Sequence, residues 1–379
     1  MAPEAILNSE VISLSHGRTC QLECHRTEGG RKGLSTKILL KARVAIFFNQ
    51  EFLSHVQDPF HPESPERLRG IIQKLRDQGL WKDVRPSKTG RSETLLLVHS
   101  EDYVDFIKTC GECNLTLDTM VHHETYGIAA LSAECAVDAA QYSRNEGKPS
   151  FALTRPPGHH AGKDYGMGFC YFNNISIAAR SLLKSGDKKI AIVDLDVHHG
   201  NGTQEIFAMD PSILYVSTHQ AGIFPGTGPV EYVGKGEGEG FSVNLPFQAG
   251  CGDSTFDIAS LEVIEPIVRE FKPDAILVSW GMDTHYRDTL ASLTLSSPGH
   301  VMQAERLIKL AAKLCGKRIT FMLEGGYDIP ALSEVVAGVV GKTEGVEVPL
   351  EFTDIIDNSC LGRGTILRCK QIMSDYWGL

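Results

Sequence analysis

The residues best suited to chemistry lie in KIAIVDLDVHHGNGTQ, residues 189–204. The apolar residues Ile190 to Val193 read as a strand buried on both faces, and Asp194, Asp196, His198 and His199 arrive where it ends. On an extended strand side chains alternate, so Asp194, Asp196 and His198 are expected on one face, an arrangement a sheet interior tolerates only around a cation. Asp196 and His198 therefore read as oxygen and nitrogen ligands of one metal, with Gly200, Asn201 and Gly202 in the tight turn that follows. A hydrogen-bonded Asp/His network in a turn is the plainer reading. The cost of unpaired buried charge weighs against it.

Three further apolar runs end in polar clusters. Ser150 to Thr154 leads into RPPGHHAG with His159 and His160, Ala275 to Ser279 into SWGMDTH with Asp283, and Ile319 to Leu323 into LEGGYD with Tyr327. Two carboxylates and one imidazole leave positions open on a divalent ion, the pattern of a hydrolytic rather than a structural site, so Asp196, His198 and Asp283 form the expected ligand set. One imidazole of the His159–His160 pair would take a proton from water and return it to a leaving amine. Asp194 and Asn201 are the candidates to fix the two tautomers. A histidine paired with Asp is biased towards imidazolium, whereas one paired with neutral Asn stays nearer its reference value and suits a general base. The Tyr327 hydroxyl can donate to a developing oxyanion. Each feature also has a structural reading, a rigid loop for the His pair and a packing role for the tyrosine.

These clusters need a sheet edge to bring them together. Val44 to Phe48, Ile213 to Ser217 and Phe241 to Leu245 read as further strands, and Leu95 to His99 is another apolar run. Helices are expected from Ser64–Pro65 to about Gln78, Glu101 to Thr109, Thr125 to Arg144, Asn173 to Leu183, Asp257 to Phe271 and Ser297 to about Cys315. Strands alternating with such helices imply an α/β fold with a mostly parallel central sheet and helices on both faces, in which ligands bind beyond the carboxyl ends of the strands. The 379 residues, 42% hydrophobic and 22% charged, suffice for a large core, and no apolar run approaches a membrane span, so a soluble protein is expected. A net charge of -10 argues against direct nucleic-acid binding and favours a cationic substrate or partner. The 10 cysteines suggest reduced thiols, and the single CGEC at 110–113 lacks a second pair for a structural zinc. Residues 1–41, without a secretory pattern but with Ser, Arg and Lys compatible with weak organelle targeting, read as a poorly ordered extension, leaving 42–379 as the catalytic domain.

RPPGHHAG, GFCYFNN, DLDVHHGNGT, FPGTG, GMDTH and LEGGY, in this order, closely resemble the zinc-dependent histone deacetylase and acetylpolyamine amidohydrolase family of the arginase-deacetylase fold, over about residues 44–340. Asn201 and LEGGY resemble its class II and bacterial-like branch. The resemblance implies a single-domain hydrolase that removes acetyl groups from N-acetyl-lysine, with Zn2+ held by Asp196, His198 and Asp283. It makes His160 the general base and acid, His159 its electrostatic partner and Tyr327 the oxyanion donor. Phe169 and Phe224, with Gly168, would line the channel for the lysine stem, and Asp118 and Leu290 its mouth. Monovalent cations, K+ or Na+, would sit at Asp194, Asp196, His198, Ser217 and Thr218, and around Phe207, Asp210 and Ile213. Arg67 matches an arginine of an interior channel.

The family commonly has an Asp-Pro pair after the third ligand, whereas Asp288 is followed here by Thr289, so the rim loop 284–293 is expected to differ. Asp118, Thr119, His122, His123 and Glu124 lie near the expected entrance, where an acidic group would suit a substrate amide or a cationic polyamine. The expected substrate is an acetylated protein such as a histone. An acetylpolyamine or other small acetylated amine, a silent acetyl-lysine-binding module and a two-manganese arginase-like hydrolase are the alternatives. The complete set of ligands, His pair and tyrosine opposes the silent module, and only three good ligands oppose the two-metal site. Protein complexes fit the family, and without a convincing basic run both nucleus and cytoplasm are open.

Overall fold

The computed structural model describes the backbone of residues 10–14, 18–26 and 32–39, and residues 44–379 apart from 88–89 and 357–360. Two compact units result, Met1–Arg43 and Val44–Leu379. In the first, β1 (Glu10–Leu14), β2 (Arg18–Arg26) and β3 (Lys32–Leu39) form an antiparallel sheet. The expectation of poor order over 1–41 otherwise falls outside the described residues.

The second unit is built on an eight-stranded sheet. Its strands are β4 (Ala45–Phe47), β5 (Val84–Arg85), β8 (Ser150–Ala152), β9 (Ile190–Asp194), β10 (Ile213–Gln220), β11 (Ser242–Phe247), β12 (Ala275–Trp280) and β13 (Ile319–Leu323). A hairpin of β6 (Cys113–Thr116) and β7 (Thr119–Val121) stands apart from it. The spatial order is β11-β10-β9-β12-β13-β8-β4-β5, and every pairing is parallel. The four strands whose ends carry the polar clusters, β9, β12, β13 and β8, are thus consecutive at the centre. All residues of β9, β10, β12 and β13 are buried, as a sheet covered on both faces requires.

The helices are α1 (Pro65–Asp77), α2 (Ser92–Leu95), α3 (Glu101–Thr109), α4 (Thr125–Glu146), α5 (Asn174–Lys184), α6 (Asn201–Ile206), α7 (Asp253–Ala259), α8 (Glu265–Phe271), α9 (Ser297–Leu314), α10 (Ile329–Glu344) and α11 (Arg363–Met373). A π-helical stretch, Ser260–Ile264, joins α7 to α8, so the expected helix begins four residues earlier than its pattern indicated. Leu95 to His99 is no strand; α2 ends there and packs against α4. α1 buries Leu68, Ile71, Ile72 and Leu75, the spacing of one helical face, and packs against α10, where Gly70 lets Ile329 and Ser333 approach. α10 starts immediately beyond Tyr327, where the Asp328 side chain accepts from the Ala331 amide at 3.0 Å, and it ends at left-handed Gly345. Among the described residues no helix is long and apolar enough to cross a membrane.

Candidate active site

β9 ends at Asp194, so strand alternation does not carry Asp196 and His198 onto the face of Asp194. The chain turns instead. The Asp196 amide donates to Asp194 Oδ1 at 3.2 Å and the His198 amide to Asp196 Oδ1 at 2.9 Å, a pair of side-chain-to-backbone turns. Asp194 stays outside the ligand set, with its Oδ2 3.2 Å from His159 Nδ1 and accepting from Tyr215 Oη at 3.0 Å. Asn201 does not lie in a plain turn; it is the first residue of α6.

The turn brings His198 Nδ1 to 3.2 Å from Asp196 Oδ1 and 3.2 Å from Asp283 Oδ2, and one ligand atom from each of the three residues fits within 4.8 Å. Backbone amides hold the carboxylates. Gly325 N donates to Asp196 Oδ2 at 2.8 Å and Val197 N to Asp283 Oδ1 at 3.0 Å. Gly325 is required there, since a Cβ would fall 2.1 Å from Asp283 Oδ2. Burial, and then the negative charge of Asp196, push Asp283 up to about 7, and its Oδ2 is buried without a hydrogen-bond partner. An orphaned buried carboxylate oxygen beside an imidazole and a second carboxylate fits a divalent ion, which would neutralise the repulsion and take the vacant lone pair. The structure thus brings together the three residues expected as ligands.

Beside them the His159 and His160 rings lie 4.0 Å apart. Burial opposes charge on His159, but Asp194 and Asp196 outweigh it and raise the imidazole to about 10. His160 Nδ1 is 2.8 Å from Asn201 Oδ1. Pairing with a neutral amide suggested a near-reference value, yet burial, followed by the positive charge of His159, takes His160 well below 6.5. Its environment, more than its partner, sets its basicity. The Tyr327 hydroxyl is pushed well above its ordinary value by burial, which keeps it a donor at neutral pH.

His159, His160, Asp196, His198, Gly325 and Tyr327 line one pocket with Asp118, Pro157, Gly168, Phe169, Phe224 and Leu290, while Asp283, Asp194 and Asn201 stand behind its wall. Phe224 stands edge-on to His160, ring centres 5.0 Å apart, and Phe169 edge-on to Tyr327 at 6.0 Å. Gly168 has φ 54° and approaches closely: a Cβ would meet His160 Cδ2 at 2.6 Å. Asp118, on the β6–β7 turn, accepts at Oδ1 from the Thr119 hydroxyl at 3.0 Å, while Thr119 Oγ1 accepts from Phe169 N at 2.9 Å. That bond ties the rim to the channel wall. His122 N donates to Thr125 Oγ1 at 2.9 Å, and His123 and Glu124 are exposed outside the pocket lining.

The remaining expected residues are not in the pocket. Ser217 Oγ lies 2.9 Å from His219 Nδ1, and Thr218 Oγ1 donates to the Asp194 carbonyl at 3.4 Å. Asp210 pairs with Arg180, whose guanidinium lies 4.7 Å above the Phe207 ring, and Ile213 begins β10.

Several supporting residues make contacts for which the sequence gave no local signal. Glu324 Oε2 accepts from Gly158 N at 2.7 Å and His159 N at 3.3 Å, and Oε1 from Ser279 Oγ at 2.9 Å, so the end of β13 orients the His-pair loop. Asp288 Oδ2 accepts from Tyr327 N at 2.6 Å and Asp328 N at 3.2 Å. Arg67 donates from Nε to Gly326 O at 2.7 Å and lies 5.0 Å from the Tyr327 ring centre. Behind it, Glu63 is buried against Arg155, with Oε2 2.8 Å from Nη2, and against Arg67 Nη1 at 3.3 Å. LEGGY and RPPGHH contain Glu324 and Arg155, but only the folded chain brings them to their partners.

Residues 61–343 match the histone deacetylase domain. The chain is 41% identical over 312 residues to a probable deacetylase of Archaeoglobus fulgidus, covering 80% of this chain and 87% of that one. It is 38% identical over 336 residues to histone deacetylase 10, chloroplastic, of Oryza sativa subsp. japonica, covering 82% and 76% respectively. The crystal structure of the HDA15 HD domain superposes with a TM-score of 0.81 at 34% identity, over 89% of this chain and 97% of that one. With that fold and a continuous match through every site segment, the chain belongs to the histone deacetylase family and has its arginase-deacetylase fold.

Proposed function

We propose that the protein is a zinc-dependent hydrolase that removes the acetyl group from N-acetyl-lysine of histones or other proteins. The observation that carries this reading is the meeting of Asp196, His198 and Asp283, the first two lining a pocket walled by Phe169 and Phe224 and faced by His160 and Tyr327. A divalent ion on the three ligands supplies Lewis-acid polarisation of the amide carbonyl and makes water easier to deprotonate. His160, low in basicity and neutral at pH 7, takes the proton of the attacking water at Nε2 while Nδ1 faces Asn201, and returns it to the leaving amine. Charged His159 beside it stabilises negative charge gathering on the substrate. Tyr327 donates its hydrogen to the developing oxyanion. The two phenylalanines exclude water from the methylenes of the lysine stem.

A small acetylated amine is the second reading. Asp118 at the pocket lining, held by Thr119, would suit a cationic polyamine as well as the backbone amide of a peptide. The test is kcat/KM of zinc-loaded protein on an acetyl-lysine histone-tail peptide and on acetylated spermidine. Preference for the peptide supports the protein deacetylase, preference for spermidine moves the activity to small amines, and turnover of neither contradicts both.

A further inference from the structure

Outside the pocket wall, a short chain of polar groups leads from the surface to His160. Glu205, exposed on α6, accepts a hydrogen bond from Tyr165 Oη at 2.6 Å. Tyr165 Oη in turn lies 3.2 Å from Asn201 Nδ2, and Asn201 Oδ1 lies 2.8 Å from His160 Nδ1. The Tyr165 ring lies over Gly162, where a Cβ would fall 2.3 Å from it, so the glycine two residues after the His pair makes room for the contact.

The direction of each bond follows from what each group can do. A carboxylate only accepts, so the single hydroxyl hydrogen of Tyr165 is committed to Glu205. Towards Asn201 the phenol oxygen can then only accept, which draws the amide NH2 to that side. The amide oxygen is left facing His160 Nδ1, which must carry the hydrogen, and Nε2 keeps its lone pair. A flipped amide would set its oxygen against the Tyr165 oxygen and its NH2 against Nδ1, placing the histidine hydrogen on Nε2. The other acceptors for Asn201 Nδ2 are distant, the His160 carbonyl at 3.5 Å and Met167 Sδ at 3.6 Å. They hold the orientation weakly.

We propose that Tyr165, backed by Glu205, is a positioning residue for the reaction, fixing the Asn201 amide so that His160 presents an unprotonated Nε2 to the substrate. This rests on the reading of His160 as the proton-transfer base. The test is a double-mutant cycle on an acetyl-lysine peptide, or on acetylated spermidine if that is the preferred substrate, with zinc-loaded protein and a thermal melt of each variant. Tyr165→Phe is expected to lower kcat roughly 3- to 10-fold, the share of one hydrogen bond, with KM unchanged. In the Asn201→Asp background the same change is expected to have little further effect, because a carboxylate offers His160 an acceptor in either orientation. Glu205→Gln, which can donate to Tyr165 and release its hydrogen towards Asn201, should repeat the pattern if Tyr165→Phe does not fold. An unchanged kcat, or an equal loss in both backgrounds, would overturn the proposal by making Tyr165 inert or merely structural. His160→Ala separates the two levels. Retained turnover there removes the base itself, whereas an inactive His160→Ala with a flat cycle removes only the positioning role.

Discussion

The floor of the pocket and its rim are built on opposite terms. Asp196, Asp283, His159 and Glu324 are buried, and each is held by amides or charges from other strand ends, so a change in one is felt by the rest. At the rim, Leu290 and Phe224 are partly exposed, and Leu117, beside Asp118, projects fully into solvent. Under the proposed function the floor would carry both stability and chemistry, while the exposed rim would be free to vary with the substrate.

Glu63 provides the severest test of this contrast. Glu63→Gln leaves the buried guanidinium of Arg155 without its carboxylate, and should lower unfolding free energy by about 3–5 kcal/mol in urea titrations. A loss below about 1 kcal/mol would show that the buried network behind the floor tolerates unpaired charge. Next, Tyr327→Phe should cut kcat by about 10²–10³-fold while bound zinc and melting temperature stay near wild type, since one oxyanion donor is lost. Unchanged turnover would take Tyr327 out of the mechanism.

A smaller effect concerns the loop that joins the His pair to Phe169. His99 braces it, with Nδ1 3.3 Å from the Lys163 carbonyl and Nε2 accepting from Asn173 N just beyond Phe169 at 2.9 Å, and burial lowers its imidazole to about 4. Because the folded value is depressed, His99 is neutral in both states above about pH 6.5 and its contribution is complete there. Between about 6.5 and 4 only the unfolded chain takes up the proton, so stability falls with pH by about 1.4 kcal/mol per unit from this group. His99→Gln should remove one proton's worth of that slope between pH 6 and 5. An unaltered slope would mean the folded protein also protonates there. Smallest of all, Leu117→Ser should change stability by less than about 0.5 kcal/mol yet alter KM for peptide more than for acetylated spermidine. Equal KM shifts would deny the rim its part in choosing the substrate.

The same contrast explains what could be read from sequence. His159, His160, Asp196, His198, Asp283 and Tyr327 follow apolar strand runs, so their residue types and order announced a site, and the parallel sheet followed from the alternation of elements. Glu63 and Arg155 are 92 residues apart, and neither periodicity nor spacing points one to the other. α10 escaped notice because Ala331 to Gly341 are buried all round and show no polar face to mark a helix. Strand alternation cannot relate Asp194 to Asp196 and His198, because the strand ends at Asp194 and side-chain-to-backbone bonds, not pleating, direct the chain beyond it.

The central claim is that Asp196, His198 and Asp283 hold the metal on which acetyl-lysine hydrolysis depends. The most direct measurement is turnover of an acetyl-lysine peptide by protein stripped with chelator and titrated with Zn2+, alongside Asp283→Asn. Activity lost on stripping and restored at one equivalent, with zinc retention weakened in the variant, is the predicted result. Undiminished turnover by the stripped protein, or full zinc retention by Asp283→Asn after dialysis, would contradict it.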